Sequence, residues 1–354
     1  MKRNIYLSLT LPLQFIVLNL LSNYPDVIEK IYSLNLYQIL AALEQFAFGW
    51  LPFSFGDILY IVLIILILRW IYRIIRTRFS APLKRLLQVF STASIFYFLF
   101  HLLWGLNYYR PPLHQSLHLK ASYTTEELYQ LTTVLVEQTN ALQVQLTGDK
   151  ANKVPFDFTT SELNYEARIG YDNVFVKYPY LHFKFNRSKK SIFSLPLSYM
   201  GFSGYLNPLT NEAQYNAKMP WFSLPTTITH EMGHQLGFAK ENEANFMAVL
   251  ATIEHPNPYF NFAGHAFALQ YCLSDLRKRA PEIAQQLLDK INPGVLKNYR
   301  EVNTFWEAYK NPLEPGFKFF YNNYLKINNQ PDGMKSYSYV VALLVNYYQN
   351  ENAL

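Results

Sequence analysis

The chain has 354 residues, 50% of them hydrophobic and only 16% charged, with a formal net charge of +6. One cysteine, Cys272, leaves no disulfide partner and no cysteine-based metal or redox site. The basic residues form no stripe and match no nucleic-acid module, so no nucleic-acid partner is expected.

Mean hydropathy is −0.04, so the apolar residues must be concentrated in part of the chain. They are concentrated in residues 1–110, which read as a membrane region. Apolar runs cover about 5–21, 55–72 and 86–107, with Asp57 and Arg69 near the ends of the second. A helix of ~20 residues rising ~1.5 Å each crosses the ~30 Å apolar core of a bilayer. Lys2 and Arg3 ahead of the first run would also suit a signal peptide, but "LLSNYPDV" lacks a small-residue cleavage site. Residues 27–50 have an amphipathic helical pattern and would lie along the membrane surface.

Lys and Arg in short loops set orientation. The start "MKRN" is basic, and Arg73, Arg76, Arg78, Lys84 and Arg85 follow the second run. The intervening loop holds Lys30 against Asp26, Glu29, Glu44 and Asp57. The N-terminus is therefore expected in the cytoplasm, and everything after Arg110 on the periplasmic side of the inner membrane.

"RPPL" at 110–113 is expected to stop the third helix, because proline cannot continue one. A domain over 111–354 follows. Thr124 and Glu127 form a capping box opening a helix to about Leu146. Residues 154–216, rich in Tyr, Phe, Ser and Asn, read as short strands and turns. Helices return at 226–248, 262–279, 281–291, 298–310, 314–327 and 335–349. The fold class is an α-rich α+β arrangement: three spans, then a mainly helical domain with a small sheet.

Chemistry concentrates in "TTITHEMGHQLGFAKENEANFMA", residues 226–248. His230 and His234 are four apart and share a helix face, where two neutral imidazoles can hold one Zn²⁺. Glu231, free of the metal, could take a proton from water and return it to a leaving amine. H-E-x-x-H alone arises by chance in roughly one chain in a hundred of this length. Gly237 reduces the weight of chance, since it can end the helix in a left-handed turn and bring back a second helix. That helix offers Glu241 and Glu243 as a third, oxygen ligand, with water in the fourth position. Glu241, Ala244 and Asn245 share one face, where the small Ala permits close packing. Geometry favours Glu241; Glu243 would point about 200° away and hydrogen-bond from outside, and remains the alternative ligand.

"HEMGH…ENEAN" resembles the gluzincin metallopeptidases, both the membrane-bound prenyl-protein-endopeptidase type and the soluble repressor-cleaving type. Their E-x-x-A-D or E-x-x-A-N motif implies that Glu241 is a zinc ligand and that Asn245 supports it from behind. The gap between the two motifs is unusually short here. Gly237 is similar to a metzincin feature, but Lys240 stands where those families need a third histidine. Over nearly the whole chain, "LWGLNYYRPPL", "GFSGYLNPLTNEA", "HEMGHQLGFAKENEANF" and "QPDGMKSYSYVVALL" are similar to a bacterial membrane family catalogued as domain of unknown function 3810. That resemblance implies the architecture and the zinc motif and supplies no reaction.

"SLPLSYMGFSGYLNP" reads equally as a surface hairpin or as an edge strand that binds substrate backbone. A gluzincin usually supplies a Tyr or His to stabilise the oxyanion; Tyr205, Tyr337, Tyr339 and His265 are candidates among 28 tyrosines and 8 histidines. His265 reads more simply as a helix-surface residue, and His101 lies inside the third span. The expected function is a membrane-anchored, zinc-dependent metallopeptidase. Its partners would be the lipid bilayer and a peptide or protein substrate near the membrane surface. The alternative is a silent zinc-binding module with an envelope binding or scaffolding role.

Overall fold

Three long apolar helices open the chain, seen in a computed structural model that describes residues 2–184, 187–334 and 339–350. Helices α1 (Lys2–Leu21), α4 (Phe55–Arg76) and α5 (Pro82–Leu103) are each long and apolar enough to cross a membrane. Between the first two lie a single turn, α2 (Pro25–Val27), a π-helical segment over Ile28–Leu36, and α3 (Tyr37–Phe48). Contacts divide the chain into two units: Met1–Pro111 with Asn207–Glu212, and Pro112–Leu206 with Ala213–Leu354.

In the first unit, α1 and α5 pair through polar groups. The Gln14 amide donates to Ser94 Oγ at 2.8 Å, and the Thr10 and Ser94 hydroxyls lie 2.8 Å apart. Such bonds join helices well in lipid, where apolar packing alone brings no gain over lipid contact. The most apolar stretch of α4 is unburied, as a lipid-facing helix would be. Arg73 and Arg76 fall in its last turn, where cations suit the helix dipole, and the helix runs on past the expected residue 72. The third span differs from expectation at both ends, starting at Pro82 and ending at Leu103. "RPPL" does not stop it: Trp104 leaves helical geometry at φ −155° and a 3₁₀ segment follows over Gly105–Tyr109. Gly105 packs so close to the Phe100 ring that any side chain there would collide with it. Arg110 meets Glu29 through two bonds of 2.6 Å. The Glu212 carboxylate accepts the Phe55 and Gly56 amides at the start of α4.

The second unit is mainly helical. It contains the short α6 (Leu113–Ser116), α7 (Thr125–Thr147), α8 (Thr160–Lys177) and α9 (Ser194–Met200). After a small sheet come α10 (Leu224–Gln235), α11 (Glu241–Ile253), α12 (Pro258–Arg279), α13 (Pro281–Leu288), α14 (Pro293–Ala308), α15 (Glu314–Ile327) and α16 (Val340–Asn350). The sheet order is β1 (Lys189–Lys190), β3 (Glu212–Tyr215), β2 (Gly204–Asn207), with β1 parallel to β3 and Lys189 opposite Gln214. The expected capping box at Thr124 and Glu127 is present in full.

The expectation of short strands and turns over 154–216 holds where β1, β2 and β3 lie, but the 18-residue α8 replaces it over Thr160–Lys177. A second capping box, Thr159 with Glu162, opens that helix. Leu163, Ala167, Tyr171 and Val174 then recur at spacings of three and four and are buried. The aromatic, Asn-rich composition favours strands and turns, but packing of this face against α10 and α11 overrides local propensity.

Candidate metal centre

The centre lies where α10 meets α11, and small residues let the two helices approach. A side chain at Gly233 would sit 3.3 Å from Met247 Cβ and 3.5 Å from Ala244 Cα. Behind them, the Tyr171 hydroxyl donates to the Thr229 carbonyl at 2.6 Å and ties α10 to α8.

Gly237 shapes the turn between the helices. It takes φ +85°, in the left-handed region. Its amide donates to the His234 carbonyl at 2.9 Å, and the Phe238 amide reaches back to Gly233 at 3.3 Å. This is a Schellman closure. It also brings the Phe238 carbonyl to His234, whose Nδ1–H donates to it at 2.7 Å. In a neutral ring that bond places the lone pair on Nε2.

Glu241 Oε2 lies 3.2 Å from His230 Nε2 and 3.6 Å from His234 Nε2. Donors ~2.0–2.2 Å from a tetrahedral zinc are ~3.3–3.6 Å apart, so these three residues fit that ion. One donor atom each from His230, Glu231 and His234 also lie within 4.8 Å of one another. Glu243 is placed otherwise: its Oε1 accepts the Leu113 amide at 2.9 Å. Asn245 donates to the Tyr271 hydroxyl at 3.2 Å rather than to a histidine.

Burial dominates the electrostatics. It pushes the Glu231 carboxyl up to about 7; the two histidines oppose that rise and Glu241 adds to it. Glu231 Oε2 is buried with no hydrogen-bond partner among the described residues. Strand β2 closes over this side chain, since a Cβ at Gly204 would come within 2.6 Å of Glu231 Oε1. Burial also resists charge on His234, but Glu241 beside it outweighs burial and holds the ring at about 9. For Glu241, burial would raise the pKa, yet the histidines hold it well below the usual carboxylate range. His230 keeps 13% of its side chain exposed against 6% for Glu241, so solvent reaches the cluster past His230.

Two tyrosines near the cluster carry no sequence signal. The Tyr321 hydroxyl on α15 donates to Glu241 Oε1 at 2.5 Å, leaving Oε2 for the histidines. Tyr271, on α12, is pushed up to about 12 by burial, with Glu241 adding to the rise. Among the expected oxyanion donors, Tyr205 follows Gly204 on β2, so alternation turns it to the face away from Glu231. Tyr339 is exposed and hydrogen-bonded to Asp332. Tyr337 lies outside the described residues. His265 donates to the Asn261 carbonyl of its own helix at 2.9 Å.

Fold and site together define a helix-rich chain with three helices able to cross a membrane and a His–Glu cluster at a helix crossing. The chain belongs to the family of proteins of unknown function DUF3810, whose model matches residues 32–345. No curated protein and no solved structure matches it.

Proposed function

We propose that this protein is a membrane-anchored zinc metallopeptidase with a zincin-like, gluzincin-type domain, cutting a peptide or protein near the membrane surface. The observation that carries the reading is the position of Glu241 Oε2, 3.2 and 3.6 Å from two imidazole nitrogens, beside a buried Glu231 Oε2 that has no partner among the described residues. His230, His234 and Glu241 would hold one Zn²⁺. The ion, when bound, supplies a Lewis acid that polarises the scissile carbonyl and makes water more acidic.

The chain's own residues do the rest. Glu231, near 7, can accept a proton at Oε2 and pass it to the departing amine, because its two forms are close in energy at neutral pH. Phe238 and Tyr321 fix the His234 ring and the Glu241 carboxylate. Strand β2, at the sheet edge and in contact with Glu231, offers its backbone to an extended peptide. The charge bias of the loops favours a cytoplasmic N-terminus and a periplasmic domain. A reporter fused after residue 120 should be active only outside the cytoplasm, and activity inside would reverse the topology.

The decisive test is Glu231→Gln in the full-length protein, with bound metal and peptide cleavage measured together. The variant should keep its zinc and lose ~10²–10⁴-fold in cleavage. Wild type that binds no zinc would remove the metal centre. Zinc binding without cleavage by wild type would favour the silent zinc-binding module.

A further inference from the structure

Helix α15 has two faces. Inward, Glu314, Phe317, Tyr321 and Leu325 follow at spacings of three and four, with Leu325 fully buried and Tyr321 on Glu241. The Phe202 ring meets Tyr321 edge-on at 5.0 Å. Outward, Leu313, Phe320 and Ile327 are seven apart, in line on a helix, and are 69%, 73% and 70% exposed. Phe319, 64% exposed, and Lys326 are also seven apart and form the adjoining stripe. Single exposed apolar residues are ordinary; four on one short stretch are a binding face. Lys310, Lys318 and Lys326 outnumber the lone acid Glu314, which pairs with Lys318 at 2.5 Å.

The place of α15 within its unit indicates what covers this face. The first turn of α11 holds α15 through Glu241 and the Leu113 amide through Glu243. Leu113 is ten residues past Leu103, the end of the third helix able to cross a membrane. Helix α15 is therefore fastened to the same turn as the chain's point of entry from the membrane helices. Apolar and aromatic residues flanked by lysine are the composition of helices that lie in a lipid interface.

We infer that the outward face of α15 docks on the surface of a phospholipid bilayer. Leu313, Phe319, Phe320 and Ile327 enter the boundary between headgroups and acyl chains, and Lys310 and Lys326 meet anionic headgroups. This inference does not depend on the zinc centre.

The test uses full-length protein in vesicles of phosphatidylcholine with phosphatidylglycerol. A spin label is placed at Phe320→Cys or Ile327→Cys, with Val176→Cys, 83% exposed on α8, as the control. The native Cys272 is buried and should stay unlabelled. At 320 and 327 oxygen collisions should exceed the control, and collisions with a water-soluble nickel chelate should fall several-fold below it. Nickel collisions equal to the control would leave the face in water and overturn the proposal. Low collisions with both reagents would put a protein partner there and overturn it equally. Without phosphatidylglycerol, nickel collisions should rise at both positions; no change would overturn the role given to the lysines.

Discussion

Buried ionisable groups are treated differently in the two units. In the first, Arg110, Glu29, Glu212 and Glu44 are each settled where they stand. Arg110 meets Glu29 bidentately, and Glu212 takes two backbone amides. Neither Glu44 oxygen has a partner among the described residues, and burial pushes the group up to about 8, so it stays neutral near pH 7. In the second unit, two histidines and two glutamates converge in one buried space, and one carboxylate oxygen has no partner among the described residues. Paired or protonated groups of the first kind hold a fold together. Converging ligand atoms cost desolvation that packing does not require, which is the mark of a site built for something else.

That contrast can be broken, and the largest effect should come at Glu241. Glu241→Ala should weaken zinc binding by more than ~100-fold, beyond what outer residues contribute, while Glu243→Ala keeps the metal. Glu243→Ala should instead lower stability by ~1–3 kcal/mol by orphaning the buried Leu113 amide. Metal analysis with thermal unfolding separates the two, and the opposite pattern would move the third ligand to Glu243. Next in size, Arg110→Ala should destabilise by about 3 kcal/mol, the low end for a broken buried pair because Glu29 keeps 16% exposure. Zinc content should not change; a loss of zinc there would show that the Arg110–Glu29 pair also supports the centre.

Tyr321→Phe should reduce zinc affinity by ~10–100-fold in chelator competition with little change in folding. Unchanged affinity would make the Tyr321 hydroxyl a packing contact only. A separate prediction concerns pH. Unfolded, Glu44 loses its proton near 4.5; folded, near 8. Between those values the folded state binds more protons, so this residue's contribution to stability falls as pH rises. Thermal midpoints in detergent at both ends of that window should differ less in Glu44→Gln than in wild type. An equal slope in both would show that Glu44 is ionised when folded.

The candidate site was half legible in the sequence. His230, Glu231, His234 and Gly237 act within one helix and its cap, so spacing along the chain was enough to bring them together. Glu241 followed from the helical phase of the next segment, and the structure places it against both histidines while Glu243 turns to Leu113. Tyr321 and Tyr271 were not legible. They reach Glu241 and Asn245 from 80 and 26 residues away, and nothing in 28 tyrosines marks those two.

By itself the sequence determined what local physics decides: three apolar helices, the capping box at Thr124, the left-handed cap at Gly237, and the spacing of the two histidines. Each depends on residues within about one helical turn or on a continuous apolar run. Only the tertiary structure decided the rest. It made α8 a helix by burying one face against α10 and α11. It also set β2 against Glu231 and hung α15 on Glu241. The last two depend on contacts between segments far apart in the chain, and no local pattern in either partner specifies which segments will meet.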